Sequence, residues 1–232
     1  MPDIAAKLEQ RGFCLVPKIA SDSEISLLKA ALAHSDIARA ERGGQTYGAR
    51  NLLHLAEVHT VATNPKINAC LEGLFGSPFR IVRGLFFDKT EGANWPVPWH
   101  QDLSLAIQER RELPGWSKWT VKRGVTHVQP PPGILSRMVT MRLHLDDCPS
   151  ENGALRVIPE SHRGGVWRRD QIVAEAQKQS EVIAASAGDA LFMCPLILHA
   201  SSPAQSPSHR RVLHLEFAPD GLLPEGLAWA NT

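Results

Sequence analysis

From Phe79 onward the chain breaks into short runs whose apolar positions alternate or stand together. The runs are RIVRGLFFD, SRMVTMRLHLDD, GALRVIP, EVIAA, DALFMCPLILHA and RRVLHLEFA. Turn formers such as Asn152-Gly153 and Gly188-Asp189 separate them. In RMVTMRLHLD the alternation is clean. Val139, Met141, Leu143 and Leu145 share one face, and Met138, Thr140, Arg142 and His144 share the other. One face packs, and the other carries an arginine and a histidine. Many short strands without helices between them predict a sandwich or barrel rather than a parallel α/β sheet.

The first eighty residues have a helical period instead, with one strand, GFCLVPKI. Residues 3–11 form a helix stopped by Gly12. Ser21 with Glu24 three residues on is a capping box for SEISLLKAALAHS. Asn64 as cap, Pro65 at the first helical position and Gly76 past the end bound a further helix. The expected organisation is one domain over 1–232, mainly β with flanking α. Residues 1–78 are mostly helical, 79–220 form the core and 221–232 form a tail. Within the core, 103–135 is too long for a passive connection and reads as a lid. Trp116 and Trp119 argue against simple disorder there.

Composition narrows the function classes. The chain has 232 residues, 43% hydrophobic and 21% charged, with a formal net charge of +1. That is an ordinary globular balance with no basic field to hold nucleic acid. The four cysteines fall in no metal-binding spacing and are too few for a disulfide scaffold, so reduced thiols and a cytoplasmic location are expected. The start MPDIAAKLEQRG lacks an apolar targeting region, and no run approaches the roughly 20 apolar residues of a membrane span. The expected partner is a small-molecule substrate, with no nucleic acid, membrane or obligatory protein partner.

The candidate chemistry lies in WPVPWHQDLSL at 95–105. On a strand, His100 and Asp102 share a face, so imidazole and carboxylate converge on one point. A local hydrogen-bonded pair on a sheet is the bland alternative. His199, 99 residues further on at the end of MCPLILHA, offers a third ligand. Two histidines and one carboxylate match the facial triad of non-haem Fe(II) oxygenases, with three positions open for a co-substrate and dioxygen. One carboxylate leaves an Fe(II) site at net positive charge, suited to an anionic co-substrate. Arg210, eleven residues past His199, supplies a planar fork for a carboxylate, and Ser201 a second donor.

With these residues in place, the sequence resembles the phytanoyl-CoA dioxygenase family of Fe(II)/2-oxoglutarate oxygenases. The resemblance is carried by WHQD at 99–102, NGALRVIPESH at 152–162, AGDALFMCPLILHASS at 187–202 and HRRVLHLEF at 209–217. It implies a double-stranded β-helix (jelly-roll) core, with the N-terminal helices packed on one sheet. It also implies His100, Asp102 and His199 as iron ligands, and Arg210 and Ser201 as the anchor for the distal carboxylate of 2-oxoglutarate. The implied activity is hydroxylation of an unactivated C–H bond, consuming dioxygen and releasing succinate and CO2. Related halogenases replace the carboxylate with a small residue, whereas Asp102 is present here. The family's usual Gly-Ser-His after the Asn-Gly hairpin is Glu160-Ser161-His162 in this chain.

Two other classes account for part of the pattern. A catalytic zinc also accepts two histidines and a carboxylate, though a hydrolase has no use for Arg210. A non-catalytic jelly-roll binder with a vestigial metal site is the second. For the substrate pocket the candidates are Arg83, Arg142, His144, Trp99 and His127. The arginines and His144 hint at a polar or anionic substrate. His54, His162 and His214 read as structural, and Arg211 as solvated. A free small molecule fits better than a coenzyme A thioester, since no basic cluster for CoA phosphate is obvious.

Overall fold

A computed structural model describes residues 3–34, 37–42, 45–205 and 209–230. The chain opens with α1 (Ile4–Arg11), β1 (Phe13–Val16) and α2 (Asp22–His34). Asp3 caps α1, and Gly12 ends it in the left-handed conformation. Ser21 and Glu24 form the expected reciprocal cap of α2, with Ser21 N donating to Glu24 Oε2 at 2.7 Å and Glu24 N to Ser21 Oγ at 3.3 Å. Then come β2 (Ala38–Arg42), β3 (Gln45–Arg50), α3 (Ala56–Ala62), α4 (Pro65–Phe75) and β4 (Phe79–Lys89). The α4 boundaries are those expected, from the Asn64 cap to Gly76. The hairpin of β2 and β3 corrects the reading of one strand in the first eighty residues. Its sequences, ARAER and QTYGAR, carry too few apolar residues to alternate.

The second half contributes β5 (Val97–His100), β6 (Leu105–Ile107), β7 (Ser117–Lys122), β8 (Val125–Gln129), α5 (Pro132–Leu135) and β9 (Val139–His144). After these come β10 (Leu155–Val157), α6 (Arg169–Glu175), β11 (Glu181–Ile183), β12 (Ala190–Met193), β13 (His199–Ser201) and β14 (Arg210–Pro219). Two of these differ from expectation. Helices α5 and α6 interrupt a region read as strands only, and both are short. DALFMCPLILHA is two strands in different sheets, not one. Pro195 supplies no N–H for a ladder, and Ile197 N bonds back to Cys194 O at 3.0 Å in a tight corner. His199 therefore begins a strand.

Seven antiparallel strands in the order β1-β12-β9-β14-β4-β3-β2 form the major sheet, and β11-β10-β13-β5 form the minor one. This is the jelly-roll pair. Helices α1–α4 cover the outer face of the major sheet. Ile4, Leu8, Leu28, Leu32, Val58, Ile67 and Leu71 pack there against Met141, Leu143, Phe192, Leu213 and Leu215. The inner face holds the partners of that alternation: Thr140, Arg142 and His144 on β9, and Arg210, Val212, His214 and Glu216 on β14. Phe13, Leu155, Val157, Leu191, Met193 and Ile197 fill part of the space between the sheets. Polar groups occupy the rest, and that half is the site.

Residues 105–129 form a third sheet, β6-β8-β7. Leu105, Ile107, Trp116 and Val128 pack with Leu222 and Trp229 into a separate apolar cluster.

Candidate active site

His100 ends β5 and His199 opens β13, and antiparallel pairing sets them directly opposite each other. Nδ1 of His100 faces Pro98 O at 2.8 Å, and Nδ1 of His199 faces Ile197 O at 3.0 Å. A carbonyl oxygen only accepts, so each Nδ1 carries the hydrogen and each Nε2 presents a lone pair. Both Nε2 atoms face Asp102, at 3.8 Å from Oδ1 for His100 and 3.6 Å from Oδ2 for His199. These separations exceed hydrogen-bond length. The three ligand atoms lie within 4.8 Å of one another, and Asp102 Oδ2 has no hydrogen-bond partner among the described residues. Three donors converging on one point without satisfying each other fit a metal ion.

Charge supports the same fit. Burial resists ionisation of Asp102, but His199, His214, His100 and Arg142 outweigh it and hold its pKa below the usual carboxylate range. Burial pushes the His199 pKa down, against the pull of Asp102. The result is a carboxylate beside a neutral imidazole, the protonation state a metal requires.

Gln101, between the two ligands, points the other way. Its Nε2 donates to Gly165 O at 2.7 Å and Leu196 O at 2.6 Å, and its Oε1 accepts from Trp167 N at 2.9 Å. Asp102 N donates to Pro195 O at 3.0 Å. Ser161 Oγ accepts from Leu198 N at 2.8 Å, immediately before His199. Both segments that carry ligands are thus braced from behind. Glu160, where the family has glycine, sits at φ +67°, a conformation that glycine adopts without strain.

Beyond the triad lies a buried basic seat. Arg210, Lys89 and Ser201 are nearly inaccessible. Lys89 Nζ donates to Ser201 Oγ at 3.0 Å and to Ser202 O at 2.8 Å, and Arg210 donates to Gly153 O. Arg210 Nε has no partner among the described residues. Burial, then Arg210 and Arg142, push the Lys89 pKa down to about 7. Two buried cations with no ion-paired carboxylate among the described residues fit an anionic ligand. Gly153 is required here: its φ is +64°, and a Cβ would lie 2.7 Å from Ser202 O and 3.5 Å from Lys89 Nζ.

His100, Asp102, His199, Ser201, Arg210 and Arg142 line a cavity of about 320 Å³, and Lys89, itself not on that wall, bonds to Ser201, which is. Arg83 also lines the cavity, paired with Glu216 at 3.0 Å. Arg142 donates to His214 Nδ1 at 3.1 Å, so His214 Nε2 carries a hydrogen towards Glu216 Oε1, 3.5 Å away. The other candidates lie elsewhere. His144 is buried beside Arg142 and Arg210, and burial drives its pKa down to about 3. His127 lines a small adjoining cavity with Arg50 and Arg83. Trp99 is outside the cavity wall, with the Arg156 guanidinium 5.3 Å over its ring. Sequence reasoning missed Lys89, Arg50, Lys122, His214 and Glu216. His214, read as structural, lies on the cavity wall. It and Glu216 share the strand face of Arg210, a period-two signal present in the sequence. Arg211, read as solvated, makes a two-pronged ion pair with Asp146 at 2.8 Å. A larger groove of about 740 Å³, lined by Leu8, Phe75, Met138 and Cys194, contains none of the triad.

A jelly roll that brings two histidines and one carboxylate together beside a buried basic seat has the architecture of non-haem iron oxygenases. The chain belongs to the phytanoyl-CoA dioxygenase family, whose model matches residues 8–212. That family consists of iron- and 2-oxoglutarate-dependent oxygenases. A search of curated proteins found no match. Among solved structures, the epimerase SnoN in complex with Fe3+, alpha ketoglutarate and nogalamycin RO is 20% identical, with a TM-score of 0.69, covering 93% of this chain and 82% of that one. HygX from Streptomyces hygroscopicus, with nickel, 2-oxoglutarate and hygromycin B bound, is 15% identical at a TM-score of 0.68, covering 95% and 88%. The carbocyclase SnoK from nogalamycin biosynthesis is 15% identical at a TM-score of 0.67, covering 94% and 84%. No helix among the described residues is long and apolar enough to cross a membrane.

Proposed function

We propose that this chain is a hydroxylase of a small organic molecule, with His100, Asp102 and His199 holding Fe(II) and with Arg210, Lys89 and Ser201 holding the distal carboxylate of 2-oxoglutarate. The observation that carries the reading is one cavity with three convergent metal donors and, apart from them, a buried cationic seat. A zinc hydrolase accounts for the donors and leaves the seat without a role. Bound iron with 2-oxoglutarate and dioxygen supplies oxidation of a C–H bond, coupled to release of succinate and CO2.

The chain's own residues bind and orient. The Nδ1 bonds fix both imidazoles, and Gln101 and Ser161 hold the backbones on which the ligands sit. The inner-face apolar residues Leu85, Phe87, Val97, Leu103 and Leu155 line the cavity and limit water near the triad. Asp102 occupies the position that a halide would need, which favours hydroxylation over halogenation. About 320 Å³ must hold the co-substrate and the reacting part of the substrate, so that part is small. The 103–135 segment is assigned the role of cover over the site. None of the four cysteines forms a disulfide, which suits a reducing compartment such as the cytoplasm.

The test is succinate release from 2-oxoglutarate in air with Fe(II) over a panel of small substrates. Succinate formation that disappears in Asp102→Ala, with a hydroxylated and not a chlorinated product in chloride buffer, is expected. No succinate under any condition, or a chlorinated product, overturns the reading.

A further inference from the structure

The inner face of the major sheet has a charge order along its length. On β4, Lys89, Phe87, Leu85 and Arg83 point to the cavity side, and on β14 they face Arg210, Val212, His214 and Glu216 in register. Lys89 and Arg83 are six residues apart, about 20 Å along the strand. The triad shares the cavity wall with His214 and Arg142, which pair with each other midway along these strands. The Lys89 and Arg210 end is the co-substrate seat. The other end has its own cations, namely Arg50 at the end of β3, Arg83, and Lys122 at the end of β7, all on the cavity wall.

Charge at that end does not balance. Glu216 is the acid lining it, and Arg83 already holds this carboxylate at 3.0 Å, with both side chains largely buried. Neither Arg50 nor Lys122 has a carboxylate partner among the described residues. Arg50 is half-buried and Lys122 exposed. Burial, and then neighbouring arginines, lower the pKa of each. His127, packed against the same group, is also shifted down by burial and these cations, so it does not add to the positive charge there. Like charges kept together beside an apolar passage store repulsion that a bound anion relieves. The guanidinium fork suits a carboxylate or phosphate.

We infer that Arg50 and Lys122, with Arg83 behind them, form a second anion seat, and that the substrate carries a carboxylate or phosphate group bound there. This assignment of the seat to the substrate rests on the oxygenase reading. Both this seat and the triad lie on the wall of one cavity of about 320 Å³, so the substrate is a compact, singly headed anion.

The experiment is calorimetry on protein loaded with Ni2+ and 2-oxoglutarate, titrated with hexanoate, hexyl phosphate and, as the neutral control, hexanol. One or both anions are expected to bind while hexanol does not. The tighter anion identifies the headgroup. Arg50→Gln with Lys122→Gln is expected to weaken anion binding by at least about tenfold, with 2-oxoglutarate affinity unchanged. Lys122→Glu, at an exposed position, gives the same test if the double variant fails to fold. Anions that do not bind, that bind the variants as tightly, or that bind only by displacing 2-oxoglutarate overturn the inference. Anion binding that depends on Arg50 and Lys122 in a protein unable to bind 2-oxoglutarate keeps the seat and overturns the oxygenase reading.

Discussion

His100 and His199 face each other across two antiparallel strands, with ring centroids 4.2 Å apart. Each ring is held from behind by the carbonyl two residues earlier in sequence. The Nε2 lone pairs that remain accept no hydrogen bond among the described residues. Replacing either histidine by alanine, or Asp102 by alanine, is expected to lower Fe(II) affinity by more than the 10–100-fold typical of a lost outer-shell partner. Metal content after anaerobic dialysis, together with calorimetry, measures this. Retained stoichiometric binding in all three variants would place the metal elsewhere.

Lys89 gives the proposed 2-oxoglutarate seat a pH dependence of known sign. Its pKa in the free protein is pushed down to about 7, and a bound carboxylate favours the charged form. Binding therefore takes up a proton above that pH. Affinity for 2-oxoglutarate is expected to be highest below pH 7 and to fall by up to about tenfold per pH unit above it. Calorimetry in buffers of different ionisation enthalpy reads the proton directly. In Lys89→Met the slope should vanish, and the loss of affinity should be larger at pH 6 than at pH 9.

Gly153 lies under both cations of the seat. Its positive φ and the 2.7 Å approach to Ser202 O leave no room for a methyl group. Gly153→Ala should destabilise the fold by more than about 1 kcal/mol and raise the KM for 2-oxoglutarate by shifting the carbonyl that Arg210 donates to. Unchanged thermal stability and unchanged KM would show that the backbone there is freer than its φ implies.

Glu160 is the opposite case, a side chain where the backbone favours glycine. Its φ of +67° costs about 1 kcal/mol relative to glycine. Its ion pair with Arg163, at 3.3 Å and exposed, offsets little of that. Glu160→Gly should therefore raise stability in urea denaturation by about 1 kcal/mol and leave metal affinity unchanged, since Ser161 still braces Leu198.

Much of this site was legible in the sequence because strand geometry is periodic. The alternation in RMVTMRLHLD separates the face against the helices from the face carrying Arg142 and His144, and the structure keeps that division. His100, Asp102, His199 and Arg210 stood out by spacing and chemistry. Lys89 did not, because a lysine ending an apolar strand usually reaches water. Only its register opposite Arg210 buries it. Arg50 and Lys122 were hidden for a related reason: they come from strands of weak pattern, and their meeting is a matter of tertiary packing. The β2–β3 hairpin was missed because it is too polar to alternate. The corner at Pro195 was missed because apolar residues continue through it, so hydropathy alone shows no break between Met193 and His199.

The central claim is that His100, Asp102 and His199 hold iron while the Arg210 and Lys89 seat holds 2-oxoglutarate beside it. Anaerobic titration of the protein with Fe(II) and 2-oxoglutarate, followed by visible absorption, tests both halves at once. The account predicts a weak charge-transfer band that saturates at one equivalent of each, is lost in Asp102→Ala, and needs a higher 2-oxoglutarate concentration in Lys89→Met. No band from the intact protein, under conditions where a control oxygenase of this family shows one, would contradict it.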